Sequence, residues 1–350
     1  SPSRRSTPAS SSAATLSGRR CWPTCRRWRA APHRASSLSL APPGPGQALL
    51  RQTAVGVNYI DVYMRDGSYA RSHTYKTPLP MTIGMEGVGT VVALGDGAQA
   101  VCTGMRVGYC LSRGSYAEYA AVPVGKLVEI PAGMPDDIAT ALMLQGATAH
   151  YLTHSAFPLQ PGDTCLIHAG AGGVGQLLIQ LAKARGARVI TTVGTAAKAE
   201  IARGLGAYHT ILYREQDFAQ AVREITEGQG VAVAYDSVGR DTLRKSLSCL
   251  KRRGTCISFG ASSGQPEPVE VLELAESGSV FLTRPHLADY MATPDEIGSR
   301  ARDLFTAYMS GRLKIAIDVA LPLAEAAEAH RRLEARATQG KQILTIGAAA

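Results

Sequence analysis

The segment Ala169-Gly170-Ala171-Gly172-Gly173-Val174-Gly175 follows an apolar run at 164–168 and leads into an apolar helical pattern at 175–185. Its Gly-x-Gly-x-x-Gly spacing, between a strand and a helix, suits a specific chemistry. The glycines allow a tight turn and bring bare backbone close to a pyrophosphate, while the helix start supplies unpaired N–H groups and a positive dipole end. Taken alone, a flexible glycine loop reads the same way. The next strand, at 188–193, separates the two nicotinamide dinucleotides. A carboxylate near its end would hold the ribose diol of NAD, but no acid occurs between Asp163 and Glu200. The strand runs instead into Gly194-Thr195 with Lys198 nearby, a small polar pocket with a cation that suits the 2′-phosphate of NADPH. A solvated helix lysine is the plainer reading of Lys198.

These residues need a scaffold, and the surrounding pattern provides one. Strands at 164–168, 188–193, 209–212, 231–236 and 254–259 alternate with helices at 175–185, 196–204, 218–226 and 241–250. The alternation predicts an α/β fold with a doubly wound parallel sheet, a Rossmann domain over 142–282. Upstream, 47–57 reads as a strand, 82–94 as strand-rich with glycine turns, and 104–123 as short strands around Gly114. Residues 46–141 therefore form a β-rich domain, which a helical period at 138–152 joins to the next. Residues 283–350 return to that first domain, with helices near 294–310 and 323–337 and a closing strand at 342–346.

With 45% hydrophobic and 19% charged residues in 350, the chain can bury an ordinary core in two domains. Residues 1–50 hold eight Arg and no Lys, Asp or Glu, so a net charge of +9 leaves +1 for the rest. A basic face for RNA would rest on that tail alone. No apolar run reaches the roughly 18 residues of a membrane span. Seven scattered cysteines, an odd number, fit a reducing setting and a cytoplasmic location. Residues 1–45, rich in Ser, Ala, Pro and Arg and without an initiator Met, show no strand or helix period and are read as outside the folded core. They fit a disordered tail, a mitochondrial or plastid transit peptide, or a misread frame.

Further segments stand in a telling order: Gly56-Val57-Asn58-Tyr59-Ile60-Asp61, Gly84-Met85-Glu86, Gly114-Ser115-Tyr116-Ala117-Glu118-Tyr119, then the glycine turn from His168. Tyr235-Asp236-Ser237-Val238-Gly239, Ser258-Phe259-Gly260 and Thr283-Arg284-Pro285 follow. With these residues, from about 45 to 347, the chain resembles the quinone oxidoreductase family, zeta-crystallin included, of the zinc-free medium-chain dehydrogenase/reductase superfamily members. The resemblance implies a GroES-like β-rich catalytic domain plus the Rossmann domain, a homodimer, and an NADPH-dependent reductase of quinones. A double-bond reductase of α,β-unsaturated aldehydes and ketones is the enzyme alternative. An NADPH-binding protein with an RNA-binding or crystallin-like structural role is the alternative of another class.

Carried over residue by residue, the resemblance makes Asn58 and Tyr63 the catalytic pair facing nicotinamide and substrate. Thr148, Gly170, Gly172, Gly173, Val174 and Gly175 would hold the diphosphate, and Gly194, Lys198 and Tyr213 the 2′-phosphate. Phe259, Gly260, Ser262, Leu282, Thr283 and Arg284 would line the cofactor's other side. Tyr63 as a packed aromatic and Tyr213 as a strand cap are the plain alternatives. With no metal, the charge arriving on a quinone or enone oxygen would be met by the Tyr63 hydroxyl or the Asn58 amide.

Zinc dehydrogenases on a related scaffold bind the ion through Cys, His and a Cys or acid. The first two of those positions correspond here to Asn58 and Met85, a poor donor set. Cys102 and Cys110 lack the close partners of a structural zinc lobe, and Cys21 and Cys25 lack a matching pair, so no metal is expected. Two departures from the family stand out. Gln145 replaces a common lysine, and 1–43 contains nothing like the family's opening strands, which predicts an incomplete catalytic domain with an exposed edge.

Overall fold

The computed structural model describes residues 42–347. Residues 1–41, and with them Cys21, Cys25 and nearly all of the basic tail, lie outside the described residues. What is described begins with strands β1 (Gln47–Val57), β2 (Glu86–Leu94), β3 (Arg106–Cys110), β4 (Tyr119–Pro123) and β5 (Val128–Glu129). β1 buries most of its length: Ala48 and Leu50 pack into one apolar cluster and Val55 and Val57 into another, and both of its edges are paired. β2 pairs with one edge, while β4 takes the first half of the other and the closing strand takes the second half.

A helical run at 136–156 then passes through two π turns, Leu142–Gly146 and Leu152–Ala156, into the second sheet. Its strands are β6 (Thr164–Ile167), β7 (Arg188–Val193), β8 (His209–Leu212), β9 (Val231–Asp236), β10 (Leu250–Ser258) and β11 (Phe281–Thr283). They lie in the order β11-β10-β9-β6-β7-β8, and every pairing is parallel. The order reverses between β6 and β9, and a crevice at such a reversal, outside the carboxyl ends of the strands, is where open α/β sheets bind ligands. β9 buries all six of its residues, as a central parallel strand covered on both faces must. β12 (Ile317–Pro322) and β13 (Lys341–Thr345) then rejoin the first sheet.

Caps place the crossover helices. Asp217 accepts from Ala219 N and Gln220 N at the start of helix Phe218–Ile225, and Thr293 with Glu296 forms a capping box ahead of Pro294–Met309. One apolar core joins the two sheets: Val88 and Cys110 from the first, Ile167 and Val233 from the second, with Met143 and Leu152 of the linking run and Leu304 of Pro294–Met309.

The α/β class, the parallel sheet and its helices match the sequence expectation, with differences at several edges. Helix Tyr59–Asp66 was not foreseen, nor were β5, helix Val271–Glu276, β11 and β12. β10 begins at Leu250 rather than 254, because Arg253 takes φ 59° and the register shifts between Leu250 and Thr255, letting the strand pass an irregularity. Packing also starts before 46: Gly46 N donates to Asp96 O at 2.7 Å, and a Cβ on Gly95 would stand 1.9 Å from Gly44 O.

Candidate active site

Residues from both sheets line a cavity of about 720 Å³. The glycine turn forms its middle. A Cβ on Gly175 would stand 2.2 Å from Ala169 O, and one on Gly173 would stand 2.0 Å from Gln145 Oε1. The first clash is with backbone and cannot be relieved, so glycine alone keeps the turn this tight at 175, whereas the second is with the end of a side chain that could swing aside. Helix Gly173–Ala184 starts here with the free N–H groups of its first turn against the cavity, an anion site by construction. Gln342 also lines the wall, buried, with its Oε1 unpartnered. A dinucleotide fits these features: a diphosphate cradle closed to a side chain at Gly175, and a buried acceptor still lacking a donor.

At one end stand Gly194, Lys198, Tyr213, Arg214 and Arg336. β7 enters this corner without a carboxylate, and the hydroxyl of Tyr213 lies 3.0 Å from where a Cβ on Gly194 would be. Lys198 Nζ donates to Arg336 O at 2.9 Å, and Arg336 approaches Asp241 at 3.8 Å. Burial foremost, with Arg214 adding, pulls the Lys198 amine below its usual range, although Tyr213 opposes the shift. Of the acids on this wall, Asp217 is engaged by Lys245 and its helix cap and Asp241 by Arg240 and Arg336, while Glu215 follows Arg214 in the chain. The corner is therefore a place for an anion.

At the other end helix Tyr59–Asp66 presents Tyr59 and Tyr63, joined by Asn58 at its N-cap position and by Tyr69, Tyr75 and Tyr151. The rings of Tyr63 and Tyr69 are 5.2 Å apart, and those of Tyr69 and Tyr75 stack at 5.4 Å. Tyr63 OH accepts from Ala261 N at 2.9 Å, which leaves its proton available. Burial pushes the Tyr63 pKa up, so the hydroxyl stays protonated and can only donate that proton as a hydrogen bond. The planar aromatic wall suits a flat, conjugated guest, with the Tyr63 hydroxyl as a donor inside it.

The described chain thus brings together Asn58, Tyr63, Thr148, Gly172, Gly173, Val174, Gly175, Gly194, Lys198, Tyr213, Phe259, Gly260, Ser262 and Arg284 around one cavity. Three expected wall residues are not among those lining it. Gly170 sits behind the turn, where a Cβ would meet Thr191 Oγ1 at 2.1 Å, so its absent side chain serves packing of the turn on β7. Leu282 packs against an apolar cluster that includes Leu166, Ile190 and Cys256, and Thr283 belongs to edge strand β11. The sequence reading missed Tyr69, Tyr75, Tyr151, Arg336 and Gln342. No motif marks them; Arg336 carries one faint signal, a basic residue just past a helix end.

Two family models match the chain, an alcohol dehydrogenase GroES-like domain over residues 44–132 and a zinc-binding dehydrogenase over 173–289. Quinone oxidoreductase 1 of Escherichia coli is 40% identical over 315 residues, 89% of this chain and 94% of its own. The chain belongs to the quinone oxidoreductase family of the medium-chain dehydrogenases/reductases. A 2-haloacrylate reductase from a Burkholderia species is 44% identical over 311 residues, 88% of this chain and 93% of its own. The crystal structure of the E. coli quinone oxidoreductase complexed with NADPH superposes with a TM-score of 0.84 at 39% identity, covering 89% of this chain and 94% of that one.

The zinc ion implied by the second model's description does not fit these residues. Asn58 is held by an ion pair, Met85 is buried against Met64 and Tyr75, and among the described residues no three His, Cys, Asp or Glu side chains converge. Nor is any helix of the described residues long and apolar enough to cross a membrane.

Proposed function

We propose that this family member reduces quinones with NADPH and without a metal. One observation carries the reading: a single cavity has a glycine cradle with a corner of Lys198, Arg214 and Arg336 at one end, where β7 brings no carboxylate, and an aromatic wall with hydroxyl and amide donors at the other. The E. coli and mycobacterial structures that resemble it were both determined with NADPH, the latter at 42% identity and a TM-score of 0.85. Residues 142–282 would hold the cofactor, and 46–141 with 283–350 the substrate.

When bound, NADPH supplies a hydride. The glycine turn and helix start orient its diphosphate, and Lys198, Tyr213 and Arg336 meet its 2′-phosphate. The tyrosine wall excludes water and holds the substrate plane. Tyr63 OH and Asn58 Nδ2 donate to the oxygen on which charge collects, a preorganised stabilisation that needs no metal. Tyr63→Phe should lower kcat/KM roughly tenfold, about 1.4 kcal/mol, with NADPH affinity nearly intact. It should also cost about 1 kcal/mol of stability by leaving Ala261 N–H unpaired. A wild-type rate would reassign Tyr63 to packing. Lys198→Ala should narrow the NADPH preference over NADH about tenfold, read by titrating both cofactors; an unchanged ratio would move the 2′-phosphate elsewhere.

A second reading, reduction of α,β-unsaturated carbonyl compounds, is favoured by the 2-haloacrylate reductase relative. Turnover of 1,4-quinones, enones and 2-haloacrylates with NADPH separates the two. The quinone reading expects the highest kcat/KM with a quinone, and a tenfold advantage for an enone or haloacrylate would replace it with the second.

A homodimer is part of the same proposal. On and beside edge strand β11, Phe281 is 60% exposed, Val271 84% and Leu272 68%, apolar area that a second copy would cover. Leu272→Lys with Phe281→Glu should convert a sedimenting dimer to a monomer; a wild-type monomer would contradict the dimer. The cytoplasm, or an organelle if 1–45 direct the chain there, is the proposed location, in keeping with five free cysteines among the described residues.

A further inference from the structure

Beneath Asn58 lies a buried ion pair that the chemistry above does not use. The side chains of Lys341, at the start of β13, and Glu86, at the start of β2, are 1% and 0% exposed. The Lys341 ammonium contacts Glu86 Oε1 and donates to Asn58 Oδ1 at 2.8 Å. Asn58 Nδ2 donates to the same Glu86 oxygen at 2.7 Å, and Glu86 Oε2 accepts from Leu144 N at 2.8 Å. An ammonium can only donate and a carboxylate can only accept, so this triangle admits one orientation of the Asn58 amide. Flipping it would set N–H against ammonium and carbonyl against carboxylate. One Nδ2 proton is left over. Among the described residues nothing accepts it, and Asn58 lines the cavity.

Burying two charges gives little net stability over a well-packed apolar pair, so their presence calls for another reason. The fold also makes room for them. A Cβ on Gly56 would stand 1.9 Å from Glu86 Oε1 and 2.6 Å from Lys341 Nζ.

We propose that Lys341 and Glu86 are positioning residues that lock the Asn58 amide so that its free N–H is presented to the cavity, selecting substrates that bring an acceptor oxygen. The locked orientation follows from the triangle alone. Naming the oxygen as a quinone or enone carbonyl rests on the function proposed above.

The test compares wild type with Lys341→Met/Glu86→Gln, since Lys341→Met alone would strand a buried carboxylate. In cofactor-free wild type, the two side-chain amide protons of Asn58, followed by NMR, should exchange with solvent at rates at least tenfold apart. Adding 1,4-naphthoquinone should shift the faster one. The double variant should keep its NADPH affinity, lose that asymmetry, and show kcat with 1,4-naphthoquinone at least tenfold lower. A folded double variant with wild-type kcat and wild-type exchange would overturn the proposal. Should that variant not fold, equal exchange of both protons in the wild type would overturn it, and unequal exchange would support it. A wild type that turns over no quinone would defeat the function reading while the exchange measurement still decides the positioning.

Discussion

Gly175→Val is expected to abolish cofactor binding. A Cβ at this position would stand 2.2 Å from Ala169 O and 2.8 Å from Gly170 Cα, and both are backbone atoms of the turn itself. Ala169 already adopts φ 56° and its carbonyl accepts from Gly172 N at 2.9 Å, so the turn has no slack to absorb a side chain. Either it opens or the first turn of helix Gly173–Ala184 retreats, and in both cases the N–H groups leave the diphosphate. The NADPH Kd should rise at least about 100-fold, a loss of roughly 2.7 kcal/mol, by calorimetric titration. Gly204→Ala is the control. Nothing lies within 4 Å of a Cβ there, and alanine in a helix should leave binding unchanged. Wild-type affinity in Gly175→Val would place the diphosphate elsewhere.

Asp236→Ala should be the most destabilising single substitution in the Rossmann sheet. The carboxylate is fully buried at the end of β9 and accepts from Val238 N, Gly239 N and Thr242 Oγ1 at 2.9 Å each, and from Ser246 Oγ at 2.8 Å. The network continues inward. Ser246 Oγ meets His168 Nε2 at 2.9 Å, and His168 Nδ1 meets Thr192 Oγ1 at 2.9 Å. Burial lowers the His168 pKa, so a neutral ring donates at Nε2 to Ser246 and accepts at Nδ1 from Thr192. Removing Asp236 orphans several buried donors at once. With each costing about 1–3 kcal/mol before relaxation, a loss of about 4 kcal/mol is expected in denaturant unfolding. Cofactor affinity should fall too, because Ser237 and Val238 line the cavity. A loss under about 1 kcal/mol would show that the donors find other partners.

The sequence was legible where a local rule ties residue type to position. β1, β7, β8 and β9 fall on the bounds expected from apolar runs closed by glycine or polar residues. The glycine turn was legible as a whole, yet its spacing does not distinguish Gly170, which faces β7, from Gly172, Gly173 and Gly175, which face the cavity. Helix Tyr59–Asp66 escaped notice because eight residues give barely two turns of period, and Asn58, which precedes it, was read only as a site residue. The tyrosine wall was out of reach for another reason. Tyr69 and Tyr75 stand in irregular chain, and only the tertiary fold brings them to Tyr63. The Lys341–Glu86 pair spans 255 positions, a separation that no local pattern encodes. Absent zinc donors gave a reason to look at Asn58 and Met85, but nothing in the order of residues said what holds the amide instead.

The central claim is that the donors at the inner end of the cavity receive a quinone while the glycine cradle holds NADPH. Anaerobic mixing of the full chain with NADPH and 1,4-naphthoquinone in the presence of a chelator tests it most directly. The predicted result is loss of reduced-nicotinamide absorbance with one NADPH consumed per hydroquinone formed, much slower with NADH. No NADPH oxidation with any quinone, or activity that appears only when zinc is restored, would contradict it.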